Sequence, residues 1–252
     1  MKIIRFSVGK KILYGVLEKD TIKVLKGNPF TGIRYSGVTN KLSDVKLLAP
    51  CVPSKIVCLG VNYRSHAGEM NAQIPRSPLI FLKPPSAVIA PGDNIIYPEM
   101  SCRVDYEGEL GVIIKKKAAQ VAKTEALDYV VGYTCFNDVT ARDLQKPDGQ
   151  WTRAKGFDSF APFGPCIETD INPDNVPIET WLNGALKQKS STADLIFSIR
   201  DVISFISRVM TLLPGDVIAT GTPAGIGPMN PGDTVEVKIA PIGVLKNCVV
   251  KL

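Results

Sequence analysis

The sequence predicts an α+β protein that is mostly β, with few helices and a small β-rich unit at its N-terminus. Three observations predict this class. Short apolar runs rich in β-branched residues recur along the chain, Pro-Gly-Asp stands before three of them, and only one long segment has helical periodicity. No regular alternation of strand and helix is present, which argues against a doubly wound parallel sheet.

The elements follow in chain order. Ile3 to Phe6, Ile12 to Leu17 and Thr21 to Leu25 read as short strands, punctuated by Gly9, Gly15, Gly27 and Gly32. Leu47 to Pro53 carries two prolines and is placed as a boundary, dividing the chain into residues 1–50 and 51–252. Beyond it, Ile56 to Gly60, Leu79 to Lys83, Leu110 to Ile114 and Tyr129 to Phe136 read as strands. Pro-Gly-Asp occurs at 91–93, 214–216 and 231–233, each time ahead of a strand-like run. Proline at i+1 and glycine at i+2 suit a type II turn. Helices are expected over His66 to Met70, over Val139 to Gln145 with Asn137 or Asp138 near its start, and over Ser198 to Leu213.

Composition narrows the function. The chain has 252 residues, of which 45% are apolar, 21% charged and 7% aromatic. That is an ordinary globular balance and excludes collagen, coiled coils and disordered tails. Such a length buries roughly 70% of the unfolded surface, so folding needs neither disulfide nor structural metal. No stretch approaches the roughly 18 apolar residues of a membrane span. The N-terminus is charged early and lacks an apolar core, which predicts a cytoplasmic protein without a signal peptide. The six cysteines form no Cys-x-x-Cys pair and are expected to be mainly buried apolar residues. The net charge of +6 is scattered, and its only run, Lys115-Lys116-Lys117, has no interleaved aromatics. Nucleic acid is therefore disfavoured, and small anionic substrates are compatible with the charge.

Several positions carry possible chemistry. If Asp105-Tyr106-Glu107-Gly108-Glu109 is one strand, Asp105, Glu107 and Glu109 share a face. Adjacent carboxylates repel unless a cation or water screens them, so the face is either a solvated acidic edge or a site for Mg²⁺, Mn²⁺ or Ca²⁺. Asp138 follows an apolar strand and is either a helix N-cap or a functional side chain. His66 is the only histidine, which excludes every two-histidine zinc motif. Glu69 lies three residues on and shares its face on a helix, so the two form either a water-activating pair or a surface pair. Lys155 is either a carboxylate-binding or a surface lysine. The Gly221 to Gly227 segment matches no phosphate-loop pattern, yet its amides and the Thr222 hydroxyl can hold an anion.

These segments, in this order, resemble the fumarylacetoacetate hydrolase family over about Lys55 to Val249. They are Gly60-Val61-Asn62-Tyr63-Arg64-Ser65-His66, Phe81-Leu82-Lys83-Pro84, Asp105-Tyr106-Glu107-Gly108-Glu109-Leu110, Gly132-Tyr133, Asn137 to Gln145, Trp151 to Lys155 and Gly221-Thr222-Pro223-Ala224-Gly225. The first 50 residues resemble the small N-terminal domain of some members. The resemblance implies a mixed, mostly antiparallel β-roll or sandwich catalytic domain, a homodimer, and one divalent cation, usually Mg²⁺ or Mn²⁺. It implies Glu107, Glu109 and Asp138 as metal ligands, with Lys155 beside metal and substrate. It implies Arg142, Gln145 and Thr222 as substrate contacts, and His66 with Glu69 as the water-activating pair on a segment that closes over the site.

The activity so implied is metal-dependent hydrolysis of a C–C bond in an acylpyruvate-like 2,4-dioxo acid through an enolate. The alternatives are isomerisation of 2-hydroxyhepta-2,4-diene-1,7-dioate and decarboxylation of oxaloacetate, which use the same enolate or dienolate. A metal-loaded protein that only binds small anions is the non-enzymatic alternative. The segments 72–76 and 184–193 are expected to be loops that shape the substrate pocket.

Overall fold

The computed structural model describes residues 1–251. Four strands open the chain as an antiparallel meander: β1 (Lys2–Val8), β2 (Lys11–Glu18), β3 (Thr21–Leu25) and β4 (Tyr35–Lys41). β5 (Lys46–Leu48) returns along β1. β6 (Ile56–Gly60), helix α1 (Arg64–Glu69), β7 (Leu79–Lys83), β8 (Val88–Ile89) and β9 (Asn94–Ile96) follow. Next come β10 (Val104–Tyr106), β11 (Gly108–Ile114), β12 (Val130–Asn137), β13 (Thr140–Ala141), helices α2 (Arg142–Asp148) and α3 (Thr152–Lys155), and β14 (Ala161–Glu168). β15 (Pro177–Leu182), β16 (Ala185–Ser191), helix α4 (Ile199–Val209), β17 (Val217–Ala219), β18 (Gly227–Met229), β19 (Thr234–Ile239) and β20 (Gly243–Val250) complete the chain.

The strands form three sheets, and the class expected from the sequence, α+β and mostly β, is the one observed. The largest runs β4-β3-β2-β1-β14-β12-β11-β17-β6-β7, with β5 on β1 and β8 on β14. A second joins β16-β15-β19-β20-β9, and a third joins β13-β10-β18. The strands of residues 1–50 are continuous with the largest sheet, because β1 pairs β14 at Lys2↔Glu168 and Ile3↔Ile167. β11 lies in the middle of that sheet and every one of its residues is buried. An uninterrupted apolar run, Leu110 to Ile114, is what a strand covered on both faces requires. Gly108, at its start, touches the second sheet so closely that a Cβ there would stand 2.0 Å from Thr180 Oγ1.

The three Pro-Gly-Asp sites are type II turns, and their aspartates explain the recurrence. Gly92, Gly215 and Gly232 have φ of 83°, 87° and 97°, the left-handed conformation that glycine adopts without steric cost. In each turn the aspartate amide donates back to the carbonyl three residues earlier: Asp93 to Ala90, Asp216 to Leu213 and Asp233 to Asn230. Its carboxylate accepts the amide of that same residue at 3.0, 2.8 and 2.7 Å. Asp216 is buried and also accepts from the Ser54 amide and hydroxyl and from the Lys55 amide and ammonium.

The helices depart from the sequence expectation at their ends. α4 spans Ile199–Val209 rather than reaching Leu213, and Ser198 with Asp201 forms a reciprocal capping box. α1 begins at Arg64, two residues early, and stops at Glu69. The helix expected over 139–145 is instead α2 at Arg142–Asp148, because Thr140 and Ala141 are drawn into β13 against β10. Residues 185–191, expected in a loop, are strand β16 paired along β15, and only Asn183 and Gly184 turn. All six cysteines are free; Cys102 and Cys248 are exposed and the other four are buried. Lys115 to Lys117 lie exposed just beyond β11. Among the described residues no helix is long and apolar enough to cross a membrane.

Asp216→Ala strips five donors of their acceptor at a buried position and is expected to cost about 3 kcal/mol. Asp93→Ala, at a partly exposed turn, is expected to cost about 1 kcal/mol. Urea midpoints at unchanged m-value measure both, and equal losses would refute the role given to burial.

Candidate metal centre and its cavity

The local sequence explains how acidic side chains reach the interior. β10 and β11 belong to different sheets, and the chain crosses between them at Glu107. The continuous strand expected over Asp105 to Glu109 is therefore broken, and the three carboxylates do not form one acidic face. Asp105 turns to Arg103 and Arg142, at 2.9 Å and 2.8 Å. Glu107 and Glu109 meet Asp138 instead, brought across by the β11–β12 register that sets Gly108 opposite Asn137. The Asp138 amide donates to Glu107 O at 2.8 Å and the Glu107 amide donates to Asn137 Oδ1 at 3.0 Å. Asp138 is no helix cap: it is buried, and α2 starts four residues later.

Glu107, Glu109 and Asp138 each offer an oxygen within 4.8 Å of the others. All three are buried, and buried charges must be paired. Lys155 Nζ donates to Glu107 Oε2 at 2.9 Å and to Asp138 Oδ2 at 2.6 Å. Lys83, buried at the end of β7, donates to Asp138 Oδ1 and to Val139 O. Arg142 joins Glu107 Oε1 to Asp105 and gives its remaining nitrogen to Gln145 Oε1 at 2.7 Å. Burial alone would raise the Glu107 carboxyl, but Lys155 and Arg142 outweigh it and hold the group below the ordinary carboxylate value. The Lys155 ammonium is likewise opposed by burial, yet Asp138 and Glu107 hold it above its ordinary value. For Lys83 burial wins over Asp138 and the amine is pushed down.

Glu109 is the exception. It has no cation of its own, and one oxygen accepts the Gly221 amide at 2.8 Å. The other, Oε1, is buried without any hydrogen-bond partner. Burial, then the charges of Asp138 and Glu107, push this carboxyl well above its usual value. An orphaned carboxylate oxygen between two further carboxylates is a donor set suited to a hard divalent cation. Mg²⁺, Mn²⁺ and Ca²⁺ share that preference. The residues present therefore fit a hard divalent cation, which Glu107, Glu109 and Asp138 could hold.

A cavity of about 470 Å³ opens beside this cluster. His66, Glu107, Arg142, Gln145, Lys155 and Thr222 all line it. His66 Nδ1 stands 2.9 Å from Glu69 Oε2, and Glu69 Oε1 accepts the Gly225 amide at 2.9 Å. The glycine-rich segment thus spends two amides, Gly221 and Gly225, on the side chains of Glu109 and Glu69. Thr222 donates its hydroxyl proton to Gly108 O and accepts from Gln188 Nε2, so it secures the wall of the cavity. Val61, also on the wall, has φ of 50°. That is a costly conformation for a β-branched residue. The Asn62 side chain holds it there through Phe197 and Thr220.

Lys83 and Gln188 were not among the expected site residues. Lys83 closes an apolar strand before Pro84, and nothing local distinguishes it from a surface lysine. Gln188 lies on the strand expected to be a loop and ties Gly108, Thr222 and Pro223 together.

Residues 55–250 match the fumarylacetoacetate (FAA) hydrolase C-terminal family model, and residues 1–50 match the Rv2993c-like N-terminal model. The chain is 45% identical to the oxaloacetate tautomerase YisK of Bacillus subtilis, across 82% of this chain and 73% of that one. It superposes on 5-carboxymethyl-2-hydroxymuconate delta-isomerase of Mycobacterium smegmatis with a TM-score of 0.95, at 41% identity and full coverage of both chains. Maleylpyruvate hydrolase of Sphingobium sp. SYK-6, solved with manganese(II) and pyruvate, matches with a TM-score of 0.82 at 31% identity, over 100% of this chain and 99% of that one.

Chelator-treated protein is expected to gain stability on adding Mn²⁺ or Mg²⁺, about 2.7 kcal/mol at a hundredfold excess over Kd. Thermal melts with and without the ion read this. Glu109→Gln, which keeps the shape and removes the charge, should abolish most of the gain; an undiminished gain in a folded variant would place the ion elsewhere.

Proposed function

The chain belongs to the fumarylacetoacetate hydrolase family, and on that premise we propose that it hydrolyses a C–C bond in an acylpyruvate-like 2,4-dioxo acid with the help of Mg²⁺ or Mn²⁺. The observation that carries this reading is the His66–Glu69 pair, assembled at 2.9 Å on the cavity that Glu107 and Lys155 also line. A cation held by Glu107, Glu109 and Asp138 would supply Lewis-acid stabilisation of the negative charge that develops on the C2 oxygen.

The chain's own residues do the rest. Lys155 keeps a fixed positive charge beside the carboxylates, and Arg142, held by Asp105 and Glu107, extends the cationic wall. The Gln145 amide nitrogen has no protein partner among the described residues and is free to hydrogen-bond substrate oxygen. With His66 Nδ1–H given to Glu69, Nε2 is the basic nitrogen. It takes a proton from water, whose oxygen bonds to C4. The C3–C4 bond breaks and its electron pair becomes the pyruvate enolate. His66 returns the proton to C3, which leaves pyruvate and a carboxylic acid.

A second reading is favoured by the names of the relatives: tautomerisation of oxaloacetate or isomerisation of a hydroxydienedioate. Both need proton transfer at the same enolate or dienolate and no water. Decarboxylation of oxaloacetate passes through that enolate as well.

The deciding assay offers acetylpyruvate, fumarylpyruvate, oxaloacetate and 2-hydroxyhepta-2,4-diene-1,7-dioate to the metal-stripped and the Mg²⁺- or Mn²⁺-loaded protein. Metal-dependent pyruvate without CO₂ from the acylpyruvates is expected. Glu69→Gln should lower that rate by at least about 100-fold. Enol–keto exchange with no pyruvate released would replace hydrolysis by the second reading, and equal pyruvate and CO₂ from oxaloacetate would make the protein a decarboxylase.

A further inference from the structure

The cavity lining is of two unlike kinds. One is polar and cationic, built from Arg142, Gln145 and Lys146 of α2. The other is apolar, built from Leu59, Val61, Met70, Phe81 and Trp151. A chain of contacts connects the acids to Trp151 and Gly60. Lys155 Nζ, bonded to Glu107 and Asp138, stands 5.0 Å from the Phe81 ring centroid. The Phe81 and Trp151 centroids are 5.1 Å apart, edge to face at 72°. Trp151 in turn rests on Gly60: a Cβ at Gly60 would stand 2.8 Å from two indole carbons and 3.1 Å from Leu79. Gly60 has no unusual φ, so its missing side chain is the space the indole occupies.

For a substrate seated by its pyruvoyl end at the acids, Phe81 and Trp151 are the aromatic surface that the same cavity offers to the remaining arm. Lys146 is exposed to solvent, where a single cation adds little affinity. The aromatic wall is the larger contribution, since apolar area removed from water is what such a wall offers. We propose that Trp151, seated on Gly60, is the gauge that sets the length of an apolar acyl arm on the substrate. This rests on the reading that the site takes a 2,4-dioxo acid by its pyruvoyl end. Trp151 is a specificity-determining residue, touching the arm and not the reacting atoms.

The test uses the metal-loaded full chain and a series of acylpyruvates with acetyl, butanoyl, hexanoyl and octanoyl arms, together with oxaloacetate. Loss of the enol absorbance is followed alongside pyruvate release, so both hydrolysis and tautomerisation are read. Each methylene that fits or fails to fit an apolar pocket changes kcat/KM by roughly 10-fold or more. Trp151→Ala is expected to raise the hexanoyl-to-acetyl ratio of kcat/KM at least about tenfold. Gly60→Ala, whose methyl group pushes the indole into the cavity, is expected to lower the same ratio. Trp151→Phe, which keeps a shorter ring, should fall between wild type and Trp151→Ala, and it carries the test where the alanine variant does not fold.

A binding readout accompanies the kinetics. In a Trp181→Phe background, indole fluorescence should respond to the uncleavable 2-oxooctanoate and not to pyruvate. Unchanged length ratios in the folded Gly60 and Trp151 variants, with wild type active on the series, would overturn the gauge and leave the proposed reaction standing. A loaded wild type that turns over neither the series nor oxaloacetate would overturn the proposed reaction and the gauge with it.

Discussion

Three carboxylates packed within 4.8 Å of one another in a protein interior repel strongly, and the architecture around them is arranged to make that tolerable. Lys83, Lys155 and Arg142 are each drawn from a different element, and each gives its charge to Glu107 or Asp138. With Arg103, which joins Arg142 on Asp105, four cations face four carboxylates. All four cations nonetheless pair with Asp105, Glu107 and Asp138 alone. Glu109 receives one backbone amide and keeps a bare oxygen. A divalent ion there would complete Glu109 and leave the cluster positively charged overall, which suits a chelating anionic substrate. Glu107 and Asp138 are each paired twice, Glu107 with Lys155 and Arg142 and Asp138 with Lys155 and Lys83, so removing one lysine leaves both with a cation.

The sheets exist in this arrangement to bring distant segments to that point. β11 and β12 hold Glu109 and Asp138 through a register that side-chain chemistry reinforces at Asn137. α3 delivers Lys155, β7 delivers Lys83, and α2 delivers Arg142 across from Asp105. The second sheet contributes Gln188, which reaches over Gly108 to hold the Thr222 loop. That loop gives its amides to Glu109 and Glu69, so one of the clustered acids and the partner of His66 are fixed by one short segment. The strained Val61, held by its Asn62 clamp, lines the same cavity. A static scaffold with a few costly local conformations is the usual price of such placement.

Much of this was legible before the fold was known. Strands with period two or continuous apolar character stand where Ile56, Leu79 and Leu110 begin or continue them. Pro-Gly-Asp marked three turns because glycine alone takes the required positive φ freely, and the aspartate side chain closes the same turn. The sequence also singled out Glu107, Lys155 and His66, which line one cavity, and Glu109 and Asp138, which cluster with Glu107. The reading of Asp105 failed because alternation along a strand says nothing about where the chain leaves one sheet for another. The α2 boundary failed because Thr140 and Ala141 found a partner strand, and such partners are non-local.

What the sequence alone determined is the chemistry available and the local punctuation. It carried acidic residues suited to hard cations, a single histidine with a glutamate one helical turn away, and turns set by proline and glycine. These follow from covalent structure and from contacts within a few residues. Only the tertiary structure decided which charges pair, that Lys83 stands behind Asp138, that Asp105 belongs to Arg142, and that Glu109 is left short of a partner. It also decided that Trp151 lies on Gly60. The physical reason is burial: the energy of a charge or an aromatic ring depends on what surrounds it, and those neighbours are supplied by strands tens of residues away.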